Sequence, residues 1–293
     1  MIATIDLSKI TEISPGFGAE ICGFNATTDI TEENFRRLQE AVTTHGVVVI
    51  RDSQLSDESH IRLARMFGEL DDVKPYISAG RKNRLRYDEL FDGNSLFHVD
   101  SSFNPRRAAY SLLLAHELPP EGTGGKTAFA DTRTSFDDLD EETKQDLLAN
   151  DYVAAHSMLH SRKLAAPEYF ADLDPCQFPM GRHKIVQRHE KSGRMNLYIA
   201  AHIHHIEKVS KERSAILLEK IFKHATQPKY VIEVEWKQPG DLVIWDNTCT
   251  MHRVVSGPYS AKYRRDMRRA TVHDSSTTAW GLNEHSNVRQ GLP

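Results

Sequence analysis

The chain has few cysteines, and they are badly placed for cross-linking. Cys22, Cys176 and Cys249 are odd in number and widely spaced, which argues against a disulfide framework and a cysteine-based zinc site and leaves three reduced thiols. Long hydrophobic runs are also missing, so no membrane span is expected. The first residues, Met1-Ile2-Ala3-Thr4-Ile5-Asp6-Leu7, lack the basic and apolar regions of a signal peptide, and the expected location is cytoplasmic. Nor is there an excess of positive charge. Lys and Arg number 37 against 41 Asp and Glu, a formal net charge of −4 that gives no support to a nucleic-acid or membrane-surface partner. Repeats, low-complexity tracts and linkers are absent as well, and 293 residues suffice for one sizeable core. A single domain over 1–293 is the economical expectation, with 275–293 as a polar C-terminal tail that is mobile or contacts a neighbouring subunit.

What the chain does have is periodicity. Thr31 is placed to cap a helix with Phe35, Leu38 and Val42 on one face, ending at Gly46. Val47-Val48-Val49-Ile50 is the all-apolar, β-branched run of a buried central strand. A second helix starts near Ser56, carries Ile61, Leu63, Ala64 and Phe67, and stops at Gly68. From Val73 to Asn94 the chain is polar and irregular, with Arg81, Lys82, Arg84 and Arg86 close together, and reads as a solvated loop or a substrate lid. Period two then takes over. Residues 110–116 and 126–131 read as strands about a Pro-Gly turn, 135–148 as a short acidic helix, 196–201 as a strand and 215–225 as an amphipathic helix. Tyr230, Ile232, Val234 and Trp236 alternate with Val231, Glu233 and Glu235, as on a half-buried strand, and Pro239-Gly240-Asp241 turns the chain into Leu242-Val243-Ile244-Trp245. The sum is an α+β protein with a mainly β core and helices packed outside it.

Fifteen histidines permit metal chemistry without demonstrating it. The stretch that stands out is His98-Val99-Asp100. On an extended strand, residues two apart point to the same face, so one segment aims an imidazole and a carboxylate at a single point. Such a pair is common by chance and needs a third ligand. Leu242 to Trp245 ends in the polar turn Asp246-Asn247-Thr248-Cys249, and His252 follows, which is how a third ligand would be delivered. Two histidines and one carboxylate leave three coordination positions open, the arrangement of non-haem iron(II) oxygenases, whereas structural zinc closes its sphere. Downstream lie Arg264, Arg265, Arg268 and Arg269. On a strand, Arg265 and Arg269 share one face and Arg264 and Arg268 the other. A guanidinium grips a carboxylate through two parallel hydrogen bonds, so an inward pair suits a site handling two carboxylates.

With Gly18-Ala19-Glu20-Ile21-Cys22-Gly23, His98-Val99-Asp100-Ser101-Ser102-Phe103, Gly124-Gly125-Lys126-Thr127-Ala128-Phe129-Ala130-Asp131, Trp245-Asp246-Asn247 before His252, and Arg264-Arg265 before Arg268-Arg269-Ala270-Thr271, the chain resembles a known family. It is similar to the TauD/TfdA family of Fe(II)- and 2-oxoglutarate-dependent dioxygenases, above all to the 2,4-dichlorophenoxyacetate dioxygenase branch, from about Gly16 to Asp274. The resemblance implies a double-stranded β-helix, or jelly roll, with flanking helices. It makes His98, Asp100 and His252 the iron ligands and assigns Thr127 and Arg265 to the distal carboxylate of 2-oxoglutarate. Spacing alone leaves Arg264 and Arg265 interchangeable; the Arg-Arg-x-x-x-Arg-Ala-Thr frame selects Arg265. Arg269 matches the position that grips the anionic group of the prime substrate, Asn94 a substrate-pocket position, and His202 a histidine near the substrate.

The same resemblance implies Fe(II), 2-oxoglutarate and O₂ as cofactors and co-substrates, ascorbate as an activator in vitro, and a homo-oligomer without nucleic-acid or membrane partners. The implied reaction hydroxylates a small carboxylate- or sulfonate-bearing substrate with formation of succinate and CO₂; an aryloxyacetate would fall apart to a phenol and glyoxylate. Residues 87–94 look shorter than in the herbicide dioxygenases, so a different substrate cover is expected. Two other classes fit the metal residues by themselves. One is a zinc-dependent hydrolase that activates water. The other is a non-catalytic jelly roll holding a small acid. Neither makes succinate.

Overall fold

The computed structural model describes residues 10–71 and 95–286, so Asn94 and the loop or lid read at 73–94 lie outside the described residues. In chain order the first elements are β1 (Thr11–Ser14), β2 (Phe17–Ile21), α1 (Glu32–His45), β3 (Val47–Ile50), α2 (Asp57–Phe67), β4 (Ala108–Glu117) and β5 (Thr127–Asp131). Then come α3 (Thr132–Asp137), α4 (Glu141–Asn150), β6 (Val153–His156), α5 (Met158–Ala165), β7 (Gly181–Lys184), β8 (Val186–Arg188), β9 (Met195–Leu197) and β10 (Ile203–Ile206). The last are α6 (Lys211–Ala225), β11 (Val231–Val234), β12 (Leu242–Asp246), β13 (Thr250–Val254) and β14 (Asp266–His273). Thr31 caps α1 as expected, its hydroxyl oxygen accepting from the Asn34 N–H at 3.1 Å. Gly46 ends that helix at φ 72°, a left-handed value that favours glycine. Ser56 and Ser59 form a reciprocal capping box at the start of α2.

Six strands form one sheet in the order β1-β2-β3-β12-β4-β14, and three form a second, β11-β5-β13. The register opposes Val47 to Trp245, Val48 to Ile244, Val49 to Val243 and Ile50 to Leu242. Alternate residues of these strands therefore enter two different cores. Val47, Val49, Val243 and Trp245 meet Phe129, Ile232 and Val234 of the second sheet, while Val48, Ile50, Leu242 and Ile244 meet Leu38 and Val42 of α1 and Leu63 and Ala64 of α2. Both faces being covered is why the β3 run carries no polar residue. Each such side chain taken wholly from water contributes about 1.5–3 kcal/mol. On the far face of the second sheet, Ala128, Ala130 and Met251 are covered by Phe136 of α3, Leu147 of α4, and Leu217 and Ile221 of α6. The layering is helix, sheet, sheet, helix: a mixed, sheet-rich architecture.

Three local expectations change. The acidic helix at 135–148 is two helices, because Asp140 leaves helical geometry to cap α4, its carboxylate accepting from the Thr143 N–H at 2.9 Å. The strand at 196–201 stops at Leu197. Ile61, placed with the apolar residues of α2, is 38% exposed. The tail, where described, packs on its own chain: Ala279 is buried and accepts from the Arg107 N–H, and the Asn283 side chain donates to Pro105 O, Arg182 O and Trp280 O. No helix of the described residues is long and apolar enough to cross a membrane.

Candidate metal and co-substrate site

His98 and His252 face each other across an isolated antiparallel bridge and exchange both backbone hydrogen bonds, at 3.0 and 2.9 Å. That pairing brings their ring centroids to 4.3 Å. Asp100 stands on the same side, with its Oδ2 3.7 Å from His252 Nε2. One donor atom from each of the three lies within 4.8 Å of the others, and all three side chains are buried. The turn ahead of β13 holds the carboxylate in place. Asn247 Oδ1 accepts from the Asp100 backbone N–H at 3.2 Å and from the Trp245 indole N–H at 3.0 Å. The Asn247 amide donates to Ser111 Oγ at 3.0 Å, and the Ser111 hydroxyl donates to Asp100 Oδ2 at 2.7 Å. Ser101 follows at φ 54°, a left-handed conformation that costs a non-glycine residue about 1–3 kcal/mol. Its hydroxyl is tied to Asp71 Oδ2 at 2.8 Å.

The protonation states suit a cation. His98 Nδ1 lies 2.7 Å from Leu96 O, which can only accept, so Nδ1 carries the proton and Nε2 keeps its lone pair. His252 Nδ1 is buried and has no hydrogen-bond partner among the described residues. Burial pulls both imidazoles below their ordinary range, Asp100 opposing the shift and Arg269 adding to it. For Asp100, burial works against ionisation, but the Arg269 guanidinium and the Ser111 hydroxyl outweigh it and hold the carboxyl well below the usual range. Two neutral imidazoles and one carboxylate therefore converge at ordinary pH. Ligands about 2.1 Å from one ion stand roughly 3–4 Å apart, and the 3.7 Å spacing fits.

A second trio, His189, Asp246 and Cys249, is equally compact and buried. Its donors are already committed. His189 Nδ1 is bonded to Ser192 Oγ at 2.6 Å and Nε2 to Asp246 Oδ2 at 3.1 Å. Burial disfavours the charged ring, yet Cys249 and Asp246 push His189 up to about 10. It is a buried ion pair and offers no lone pair.

Of the two inward arginine candidates, one touches the first trio and the other packs against Gly125. Arg269 of β14 donates from Nη1 to Asp100 Oδ1 at 2.7 Å, with its side chain 43% exposed. Arg265, just before β14, donates from Nη2 to Gly125 O at 3.2 Å and stands 5.9 Å from the Tyr259 ring centre. A Cβ on Gly125, at φ +86°, would meet Arg265 Nε at 3.3 Å, so glycine suits this approach. Arg264 is instead 72% exposed and pairs with Glu117 at 3.1 Å, which separates the two candidates that spacing left interchangeable. Thr127 is buried at the start of β5, two residues from Phe129, the partner of His252 in the sheet. His202 is buried, its ring 5.6 Å from that of His98 and 5.0 Å from Phe103, with Nδ1 bonded to Ser161 Oγ at 2.8 Å. Asn94 lies outside the described residues.

Sequence reasoning passed over Ser111, Asn247 as an orienting amide, and Trp236. Ser111 had a signal, as a small polar residue directly ahead of Leu112-Leu113-Leu114 in a strand that is buried from Ala108 to Leu112. Trp236 had another: an inward-facing indole needs a partner for its N–H.

Comparison with known proteins agrees with this geometry. The chain is 33% identical over 282 residues to the alpha-ketoglutarate-dependent 2,4-dichlorophenoxyacetate dioxygenase of Burkholderia sp. (strain RASC), covering 89% of this chain and 92% of the relative. It is 30% identical to the (S)-phenoxypropionate/alpha-ketoglutarate-dioxygenase of Sphingobium herbicidovorans, covering 88% and 92%. Among solved structures, AAD-2 in complex with Mn(II) and N-oxalylglycine superposes with a TM-score of 0.77 at 35% identity, covering 91% of this chain and 98% of that one. The profile of the taurine catabolism dioxygenase TauD, TfdA family matches residues 9–271, and the chain belongs to that family.

Proposed function

We propose that the protein is a 2-oxoglutarate-dependent non-haem iron dioxygenase that hydroxylates a small organic acid, with an aryloxyacetate-like acid as its prime substrate. The two facing sheets are then the halves of a double-stranded β-helix, working in the cytoplasm as a homo-oligomer. One observation carries the reading: a buried donor set of two neutral imidazoles and a carboxylate, with separate guanidinium positions at Arg265 and Arg269. A zinc hydrolase has no use for the second anion site.

His98, Asp100 and His252 would hold Fe(II), which with 2-oxoglutarate and O₂ supplies oxidation of an unactivated C–H bond and yields succinate and CO₂. Thr127 and Arg265 bind the distal carboxylate of the co-substrate. Arg269 spends one of its N–H donors on Asp100 and keeps others for the acid group of the prime substrate. Gripped there, the substrate presents the carbon beside its ether oxygen, and hydroxylation at that carbon gives a hemiacetal that separates into a phenol and glyoxylate. His202 lines the same space. The protein's contribution is position and a dry, preorganised field. The test is succinate formation with Fe(II), ascorbate and 2-oxoglutarate against a panel of aryloxyacetates, sulfonates and small hydroxy or amino acids. Equimolar phenol and succinate from an aryloxyacetate is the expected result; release of phenol without 2-oxoglutarate consumption would replace this reading with a hydrolase.

A further inference from the structure

Trp236 lies two residues beyond β11, on the face that carries Ile232 and Val234, and its indole nitrogen is 3.2 Å from Thr127 Oγ1. An indole N–H can only donate, whereas a threonine hydroxyl has one proton to donate and two lone pairs. The direction of this bond is therefore fixed, with Oγ1 accepting. Thr127 is 2% exposed, so its hydroxyl is held away from bulk solvent. With a lone pair engaged by Trp236, the hydroxyl proton is left for another partner, and a carboxylate, which only accepts, is the partner it suits.

We infer that Trp236 is a positioning residue for 2-oxoglutarate, orienting the Thr127 hydroxyl so that it donates to the distal carboxylate of the co-substrate. This rests on the reading of Thr127 as a co-substrate contact. Donation from the indole also polarises the hydroxyl and strengthens the bond it makes onward. The half-buried Trp236 also lines a cleft of about 670 Å³ together with Gly125, Lys126 and Val255. The ring is thus held between solvent and the strand that supplies Thr127, and phenylalanine in its place removes the N–H while keeping a smaller aromatic ring on this face.

The experiment is a double-mutant cycle on the Mn(II)-loaded protein, with the Kd of 2-oxoglutarate measured by calorimetry in the absence of O₂. Trp236→Phe is expected to weaken 2-oxoglutarate about five- to tenfold, the loss of one hydrogen bond, and to leave Mn(II) affinity unchanged. Thr127→Val weakens it at least as much, and adding Trp236→Phe to that variant changes nothing further. In turnover the KM for 2-oxoglutarate rises while that for the prime substrate does not. If Thr127→Val weakens binding but Trp236→Phe does not, or if the two effects simply add, the positioning role is overturned while the Thr127 contact stands. If Thr127→Val leaves the Kd unchanged, the contact and the inference built on it fall together.

Discussion

Two buried trios in this protein have nearly the same composition and opposite character. His98, Asp100 and His252 form one, and His189, Asp246 and Cys249 the other; each gathers its donor atoms within 4.8 Å. What separates them is the partner of each histidine nitrogen. Leu96 O accepts a hydrogen bond from His98 Nδ1–H and leaves Nε2 a lone pair, while Ser192 and Asp246 engage both nitrogens of His189. Burial then drives His98 and His252 neutral, whereas Asp246 and Cys249 hold His189 charged. Ligand residue types at ligand spacing are therefore insufficient. A histidine is available as a metal ligand when it is neutral and one ring nitrogen keeps its lone pair unclaimed, as in His98 and not in His189.

The largest expected contrast comes from removing a histidine from each trio. His98→Ala should reduce metal-dependent turnover to background and abolish Mn(II) binding in titration calorimetry. His189→Ala should leave one Mn(II) per chain but destabilise the fold by about 3–5 kcal/mol in urea, since it strands one member of a buried ion pair. Equal loss of metal binding in both variants would erase the distinction. Next in size are the two arginines. Arg265→Gln should raise the KM for 2-oxoglutarate, and Arg269→Ala that for the prime substrate, each by about 10- to 100-fold, as for a charged hydrogen bond. Parallel effects on both substrates would merge the two anion sites into one.

A smaller effect is the dependence of stability on pH. The folded state raises His189 from 6.5 to about 10, so its stabilising contribution is full below about pH 6.5 and is lost as pH rises toward 10. His183 has the opposite sign. Burial, with Arg107 nearby, lowers it to about 3, so the unfolded chain takes up the proton first and stability falls as pH drops from 6.5 toward 3. Melting temperatures from pH 3 to pH 10 should therefore decline at both ends, and His189→Ala should flatten the alkaline limb alone. The smallest effect is expected at Arg264, where substitution by Ala should alter neither KM.

Local chemistry was legible in the sequence, and long-range partnership was not. Caps at Thr31 and Ser56, the β3 run and the alternation through Val234 follow from φ/ψ preference and side-chain period, which neighbours in the chain decide. His-x-Asp stood out as two ligand types two residues apart, although His98 sits in an isolated bridge and Asp100 in the turn that follows rather than on one strand, and the choice of Arg265 came from the family frame, not from spacing. The engagement of Arg269 with Asp100, of Asn247 with the Asp100 backbone and of His189 with Asp246 joins residues 169, 147 and 57 positions apart. No periodicity encodes such a partner, yet those partners decide whether a buried histidine is a ligand or a cation. The tail, expected from its polar composition to be mobile or to contact a neighbouring subunit, makes a similar point where it is described: the Asn283 amide and the Ala279 carbonyl find backbone partners supplied by distant strands and loops.

The most direct test of the central claim measures succinate and phenol together, from an aryloxyacetate with Fe(II), 2-oxoglutarate and O₂, for the native protein and for His252→Ala. The expected result is one succinate per phenol in the native protein and neither product in the variant. Undiminished turnover by His252→Ala, or phenol without succinate, would contradict the assignment of His98, Asp100 and His252 as the metal centre of a 2-oxoglutarate-dependent dioxygenase.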